Sequence, residues 1–273
     1  MFGVCTFAYR WSIGRPYYRP KNAMTLIAFI DRMAEYGVKV IQICNNVDLH
    51  DFTQDQLTEV RDRIRKYDMI VETGTRGTEP EHFVRHVEIA DFLGARVMRV
   101  VYDIERDGSA GTVGTQIDAG VACFSQVMDK AREHDVTLAL ENGYTISPRE
   151  VREMIERVDH SHFGACLDTL NSVSMVEKAE AVFEVLAPYA KSVHFKDFEI
   201  IFNKRGNVIS GTALGEGWND FRGLKTMLTR AGYKGHIFLE LYIDRLESEE
   251  ETEKFEDDCV RRSLDYARTI GLM

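Results

Sequence analysis

Four residues near the ends of apolar segments have side chains of the types that bind a divalent metal ion. They are Glu141 in VTLALE, Asp168 in FGACLD, His194 in SVHFK and Glu240 in HIFLEL. Because an unpaired buried charge is costly, carboxylates that converge on one point need a cation to balance them. Three carboxylates and one imidazole suit Mn²⁺, Mg²⁺, Zn²⁺ or Co²⁺, and the hard oxygen ligands favour Mn²⁺. One such ion would act as a Lewis acid.

The spacing of these residues supports a shared site better than any one of them does alone. A single carboxylate at the end of a strand is most often a loop residue or a helix cap, and a single histidine most often belongs to the core. The separations of 27, 26 and 46 positions, however, each match one strand–helix unit or one unit with a loop insertion. We therefore predict a four-ligand metal site formed by consecutive strands.

Eight apolar or β-branched segments are predicted to be the strands that position this site. They are Phe2–Ala8, Val38–Cys44, Met69–Thr73, Arg96–Val101, Val136–Glu141, Phe163–Asp168, Ser192–Lys196 and His236–Leu241. Helical stretches lie between them, which predicts a parallel sheet with right-handed crossovers. The expected fold class is α/β, a closed (β/α)8 TIM barrel forming a single domain over residues 1–273. A doubly wound open sheet is the alternative, although no G-x-G-x-x-G follows the first strand.

The helices are predicted from apolar periodicity and from capping signals. Periodicity gives Met24–Tyr36, Thr115–His134, Val176–Ala187, Phe221–Ala231 and Glu249–Ile270. Three more helices are expected at capping boxes, formed by Thr53 with Gln56, Thr78 with Glu81, and Ser147 with Glu150. In barrels of this kind active sites lie at the C-terminal ends of the strands, which is where the four candidate ligands stand.

The composition argues against several other classes of protein. Lys and Arg total 34 against 44 Asp and Glu, and the resulting charge of −10 disfavours a nucleic-acid partner. No apolar stretch approaches the ~18 residues of a membrane helix, so no membrane partner is expected. MFGVCTFAYRW at the start lacks the features of a signal peptide. Five scattered cysteines disfavour a disulfide framework or a thiolate metal site, and fit the cytoplasm.

The segments LENG, CLDTLNS, VHFKD, ALGEGWNDF and FLELY follow one another in this order. This ordered set resembles the xylose-isomerase-like barrel superfamily of sugar isomerases and epimerases, and the resemblance extends over essentially the whole chain. It implies a divalent ion held by Glu141, Asp168, His194 and Glu240, with both glutamates also moving protons. It further implies a small carbohydrate as substrate and a homo-oligomer.

The expected function is therefore a divalent-metal-dependent sugar isomerase or epimerase that acts on a keto-sugar or related polyol. Proton abstraction next to the carbonyl would give a metal-stabilised enediolate. The alternative is a metal-dependent lyase or dehydratase, which eliminates water or a glycosyl oxygen from the same enediolate of an inosose or keto-glycoside. A non-catalytic carbohydrate-binding or partner subunit is the third interpretation. It would not need both Glu141 and Glu240.

Further residues near the strand ends are candidates for substrate contact. Asn171 stands where the ketohexose epimerases carry a histidine, which leaves the reaction type open. Lys196 shares strand parity with His194, so it is predicted to face the pocket. There it would contact substrate or pair with a carboxylate such as Glu72 or Asp220.

Three other positions have both a structural and a functional interpretation. Glu72 and Arg99 are expected to form an ion pair, with contact of either to substrate as the alternative. Trp11, together with Tyr9, could stack on a sugar or pack within a lid. The segment 198–217 is predicted to form a hairpin that turns at 203–206, with Lys204 and Arg205 solvated at its tip.

Overall fold

Eight parallel strands close into a barrel in the computed structural model, which describes residues 1–204 and 206–273. The described residues form ten strands, of which all but β8 and β9 belong to the barrel: β1 (Phe2–Cys5), β2 (Val40–Ile43), β3 (Ile70–Arg76), β4 (Val97–Val101), β5 (Thr137–Glu141), β6 (Phe163–Asp168), β7 (Ala190–Phe195), β8 (Asp197–Asn203), β9 (Gly206–Thr212) and β10 (Ile237–Leu239). β8 and β9 form a separate hairpin. β1 pairs in parallel with both β2 and β10, which closes the barrel. The predicted (β/α)8 fold is confirmed, and the open sheet is excluded.

The helices pack around this barrel and follow the predicted order. They are α1 (Leu26–Glu35), α2 (Gln54–Lys66), α3 (Pro80–Leu93), α4 (Val113–Glu133), α5 (Pro148–Val158), α6 (Ala179–Leu186), α7 (Phe221–Arg230) and α8 (Glu249–Thr269). Within the described ranges, no helix has the length and apolar character needed to cross a membrane.

Two of the three predicted capping boxes are confirmed. Thr53 and Ser147 each accept a hydrogen bond from the backbone of the third helical residue, whose side chain bonds back to the cap. The box predicted at Thr78 is wrong, because α3 begins at Pro80 and its cap residue is Glu79, which makes no side-chain capping bond. Proline suits the first helical position, since its fixed φ is already helical and its missing N–H would have no partner there.

Several predicted elements are shorter in the structure, including the strands predicted at 38–44 and 236–241, and in two elements a local turn replaces one end. β1 stops at Cys5, and Thr6–Tyr9 form a 3-10 helix instead. The Thr6 hydroxyl accepts a hydrogen bond from the Cys44 backbone N–H at 2.9 Å, which takes the place of a strand contact. Before α6, Asn171–Met175 form another 3-10 helix that ends at Val176 in the left-handed region, so α6 begins only at Ala179.

The predicted hairpin is confirmed, with Asn203 paired to Gly206 across its turn. Lys204 is exposed as expected, while Arg205 lies outside the described residues. Asp197 anchors the base of the hairpin. Its carboxylate accepts hydrogen bonds of 2.9–3.2 Å from the backbone N–H groups of Phe198, Gly215, Gly217 and Asn219. This anchor fixes the backbone directly after Lys196.

A buried carboxylate on α8 makes the stability of the fold depend on pH. Glu256 accepts hydrogen bonds from the N–H of Trp11 at 2.6 Å and from the N–H and hydroxyl of Ser12 at 2.9 and 2.5 Å. Burial raises the pKa of Glu256 to about 7, although these bonds oppose the shift. The folded chain thus keeps a proton that the unfolded carboxyl releases near its ordinary pKa of about 4.3.

The free energy of unfolding is therefore expected to fall as the pH rises through this interval, because the folded state binds more protons. Glu256→Gln removes the titrating group and is expected to flatten this decline between about pH 4.5 and about pH 7. Urea unfolding of both proteins across this range measures the effect. Glu253→Gln, on a half-exposed neighbour in α8, should keep the wild-type decline. Identical pH profiles for Glu256→Gln and wild type would contradict this assignment.

Candidate active site

The four predicted metal ligands meet at the C-terminal mouth of the barrel. One ligand atom from each of Glu141, Asp168, His194 and Glu240 lies within 4.8 Å of the others. His194 Nδ1 is 2.9 Å from an oxygen of Glu141 and of Glu240, and 3.8 Å from Asp168 Oδ2. The strand register explains this proximity, because Asp168 and His194 are direct partners across β6 and β7. The structure thus brings all four side chains together.

The atoms that face the centre of this cluster fit a divalent cation. Glu141 Oε1, Asp168 Oδ2 and His194 Nδ1 are buried and have no hydrogen-bond partner of acceptable geometry. Buried polar atoms are nearly always satisfied, and these three belong to the group of ligand atoms within 4.8 Å of one another, so a single cation could satisfy all of them. Carboxylate oxygens with an imidazole nitrogen are a suitable ligand set for Mn²⁺, Mg²⁺ or Zn²⁺.

A chain of hydrogen bonds orients the imidazole of His194. Its Nε2 lies 2.7 Å from the side-chain oxygen of Gln42. The Gln42 amide nitrogen donates to Glu72 at 3.1 Å and also lies 3.2 Å from the Ser192 hydroxyl. Since a carboxylate only accepts, Glu72 fixes the Gln42 amide, whose oxygen must then accept the N–H of His194. Nδ1 is left facing the cluster, as metal-binding histidines require.

Glu72 therefore has a different position from the one predicted. The ion pair with Arg99 is wrong, because Glu72 lies one side-chain layer deeper in the barrel, at the level of Gln42. There it also meets His236 Nδ1 at 2.9 Å. Gln42 and Ser192, which complete this network, were missed because uncharged polar residues within apolar strands carry no metal-binding signature.

A second set of hydrogen bonds orients Asp168. Its Oδ1 accepts from the backbone N–H groups of Leu170 and Asn171 at 2.8 and 2.7 Å, which turns Oδ2 toward the cluster. The side chain of Asn142 accepts from the Asp168 N–H at 2.8 Å and donates to the Asp168 carbonyl at 3.0 Å. Asn142 is thus a positioning residue, and its place directly after Glu141 was the available signal.

Two buried cations compensate the charges of these carboxylates. Arg99 Nη2 lies 3.1 Å from Glu141 Oε2. Lys196 Nζ lies 3.1 Å from Asp168 Oδ2 and 2.7 Å from Glu240 Oε1, and it donates to Asn171 Oδ1 at 2.9 Å. The partners suggested for Lys196, Glu72 and Asp220, are wrong. Asp220 instead caps α7.

Lys196 and Glu240 stabilise each other's charged forms. Burial by itself would lower the pKa of Lys196, but Asp168 and Glu240 raise it well above its ordinary range. Burial would likewise raise the pKa of Glu240, but Lys196 and His194 hold it well below. Lys196 is therefore an ammonium ion and Glu240 a carboxylate at neutral pH.

A cavity of about 200 Å³ opens above the cluster. Of the predicted substrate contacts, Arg99, Asn171 and Lys196 line it. Trp11 instead lines a separate depression and donates to the Ile243 carbonyl at 2.8 Å. Tyr9 is buried and donates to Asp257 at 2.8 Å. Neither residue of the predicted aromatic pair faces the cavity.

Other residues of the lining were missed by the sequence analysis. The aromatic ones are Phe7, Tyr17, Tyr144 and Tyr242, and the cationic ones are Arg10, Arg15 and Arg76. Most lie in loops after the strands, where periodicity gives no information about side-chain direction. The cavity therefore combines aromatic surfaces with an excess of positive charge.

The sequence matches the model of the family described as "Xylose isomerase-like TIM barrel" over residues 30–269. The chain belongs to this family. The resemblance found in the sequence is thereby confirmed, and the matched region contains all four residues of the central cluster.

Relatives of this xylose isomerase-like barrel are named as enzymes. The 3-oxo-isoapionate decarboxylase of Pectobacterium atrosepticum is 29% identical over 269 residues, covering 98% of this chain and 94% of the relative. D-psicose 3-epimerase of Clostridium cellulolyticum superimposes with a TM-score of 0.75 at 15% identity, covering 98% of both chains. The probable 3-DHS dehydratase AsbF of Bacillus anthracis gives 0.69 at 14% identity, covering 95% of this chain and 98% of that one. The two superpositions show that this fold is shared with enzymes named for different reactions.

Proposed function

We propose that this chain is a divalent-metal-dependent lyase that decarboxylates a 3-oxo sugar acid. The charge balance of the central cluster and of the two buried cations that contact it is the observation that carries the proposal. Glu141, Asp168 and Glu240 contribute three negative charges, while Arg99 and Lys196 contribute two positive ones. A divalent ion would bring the total to one positive charge. An anionic substrate balances this charge, whereas a neutral ketohexose does not.

Arg10 strengthens the case for an acidic substrate. It lines the cavity, is only 8% exposed, and its Nε is buried without a hydrogen-bond partner. Its guanidinium lies over the ring of Tyr242, 4.4 Å from the centroid. Among the described residues, none forms an ion pair with Arg10 within 4.0 Å. A buried guanidinium without a carboxylate partner is a suitable binding group for the carboxylate of a ligand.

The name of the 29% identical relative agrees with this chemistry, since it describes decarboxylation of a 3-oxo acid. Decarboxylation is not among the reactions expected from the sequence, where lyases were represented by dehydration and elimination. All of these reactions share an electron-rich carbon next to a carbonyl group. The cationic lining favours decarboxylation among these reactions, because its substrate carries a carboxylate.

In the proposed reaction the bond between the carboxylate carbon and C2 breaks. Its electron pair forms the C2–C3 double bond of an enolate, CO₂ leaves, and a proton then adds to C2. A divalent ion held by the four central residues would supply a Lewis acid for the carbonyl group. Arg10 binds the carboxylate, and Lys196 donates the proton to C2. This reaction needs no base, which suits an arrangement in which cations hold Glu141 and Glu240.

The sugar isomerase or epimerase predicted from the sequence remains the second candidate. Glu141 and Glu240 both line the cavity, so each could exchange a proton with a bound keto-sugar. For this chemistry at least one of them must be released from Arg99 or Lys196 when substrate binds. The two candidates thus differ in the group that exchanges a proton with the reacting carbon: a glutamate in the isomerase and Lys196 in the lyase.

The test is incubation with Mn²⁺ in D₂O with 3-oxo sugar acids, ketohexoses and inososes, followed by NMR. Release of CO₂ from a 3-oxo acid, with deuterium at the former C2, is the expected result. A deuterated ketose epimer without loss of CO₂ would favour the second candidate, and loss of water would favour a dehydratase.

Arg10→Met should raise the KM for the acid at least about tenfold, since a charge-assisted hydrogen bond is lost. Arg85→Met, on a half-exposed side chain of α3, is the control.

A further inference from the structure

A second group of metal-binding side chains lies outside the central site. His50 belongs to the 3-10 helix Leu49–Asp51, while His82 and His86 lie on α3. One ring nitrogen from each of the three lies within 4.8 Å of the others. The two α3 histidines are four positions apart and so share one face of the helix. Their ring centroids are 4.5 Å apart, and that of His50 lies 6.1 Å from His86.

The buried member of this group has an unsatisfied nitrogen. His86 is 3% exposed, and its Nε2 has no hydrogen-bond partner. The nearest acidic atom is Asp48 Oδ1, at 3.9 Å from Nε2. Burial lowers the pKa of His86 to about 4, so its imidazole is neutral at physiological pH. A buried polar atom without a partner calls for a specific explanation, and a ligand atom for a cation is one.

His82 is oriented by a neighbour in the way metal-binding histidines are. Its Nε2 lies 2.7 Å from the Thr75 hydroxyl near the end of β3, and this contact holds the ring against the barrel. His50 is exposed, so its ring can rotate toward the two histidines of α3. The three residues come from the 3-10 helix after β2 and from α3, and none of them belongs to the central cluster.

We propose that His50, His82 and His86 bind a second divalent ion, with zinc preferred and Asp48 as the fourth ligand. Imidazole ligands suit Zn²⁺ better than Mn²⁺ or Mg²⁺, which the oxygen-rich central cluster suits. Tetrahedral zinc at about 2.0–2.1 Å from each nitrogen places neighbouring ligand atoms about 3.3 Å apart. The three nitrogens, which lie within 4.8 Å of one another, would close by at most about 1.5 Å per pair to reach this geometry. The ion would link the loop after β2 to α3 as a structural clamp.

The test is equilibrium dialysis of the full chain against Zn²⁺, with the bound metal measured by mass spectrometry. His50→Ala and His82→Ala are each expected to weaken one zinc site at least about tenfold relative to wild type. His162→Ala, on a histidine outside the cluster, is the matched control and should bind as much zinc as wild type. Because His50 is exposed, its substitution leaves the core intact, and circular dichroism checks that the variant is folded.

A second measurement separates this site from the central one. Asp168→Asn changes a residue of the central cluster. His50→Ala should reduce the amount of bound zinc by the same amount in the Asp168→Asn variant as in the wild type. Zinc should raise the Tm of the Asp168→Asn variant, and His50→Ala should remove that rise. Equal zinc content and affinity in wild type, His50→Ala and His82→Ala would overturn the proposal. This result would leave the proposed decarboxylation untouched, because that reaction depends on other residues.

Discussion

Lys196→Met is expected to lower the kcat for CO₂ release about 10³-fold, within the ~10²–10⁴-fold range of positioned proton donors. Methionine keeps most of the side-chain volume but loses the ammonium group. In the wild type that group lies 2.9 Å from Asn171 and contacts Asp168 and Glu240 at the floor of the cavity. The measurement is steady-state kinetics with the 3-oxo acid that reacts best in the panel described above.

The split between kcat and KM distinguishes a proton donor from a binding group. Loss of a donor lowers kcat and leaves KM nearly constant, whereas loss of a uniform binding contact raises KM alone. Lys191→Met is the matched control, since Lys191 lies at the opposite end of β7. A folded Lys196→Met enzyme with wild-type kcat would eliminate Lys196 as the donor.

The barrel could be predicted from the sequence because its determinants are local. β6 was predicted at its observed limits, Phe163–Asp168, since a continuous apolar run ends there in a charged residue. The capping box at Thr53 likewise needs only residues within one turn of helix. Where contacts with a distant segment decided the local structure, as for Thr6 with the Asn46 side chain and the Cys44 backbone, the predicted strand was too long.

The central cluster could be predicted because strand ends meet at one edge of the barrel and their residue types are chemically specific. The partners of Arg99 and Lys196 could not, since they depend on the relative height of residues on different strands. Glu72 pairs in register with Gln42, whereas Arg99 pairs with Gly74 and Ala139, one layer higher. Glu72 thus lies two residues below the level of Arg99 and Glu141 two residues above it, and only the direction of the Arg99 side chain decides that it meets Glu141.

The three histidines on the outer side of the barrel were missed for a related reason. His82 and His86 have helical spacing, but His50 comes from the preceding loop region, and its approach to α3 is a tertiary contact. Arg10 was also missed, because it follows a 3-10 helix whose direction the sequence does not specify. In both cases a segment between a strand and the next helix brings a side chain to its partners, and the path of such a segment depends on packing against the rest of the chain.

Glu141→Gln is expected to abolish binding of Mn²⁺ at the central cluster and to lower the free energy of unfolding. The substitution removes the negative charge of the ligand carboxylate. It also leaves Arg99, whose side chain is only 4% exposed, without its carboxylate partner. Breaking a buried ion pair by removing one partner typically costs about 3 kcal/mol or more. Mn²⁺ titration and urea unfolding measure the two effects. Glu250→Gln, in an exposed pair with Lys254, should change neither.

The double variant Arg99→Met/Glu141→Gln separates these two roles of Glu141. With neither charge left in the interior, the stability lost in the single variant should be largely recovered. Binding of Mn²⁺ should remain lost, because Asp168, His194 and Glu240 are left without the carboxylate of Glu141 as the fourth ligand. Recovery of metal binding together with stability would show that Glu141 acts only by neutralising Arg99. Wild-type Mn²⁺ affinity in the single variant would remove Glu141 from the ligand set altogether.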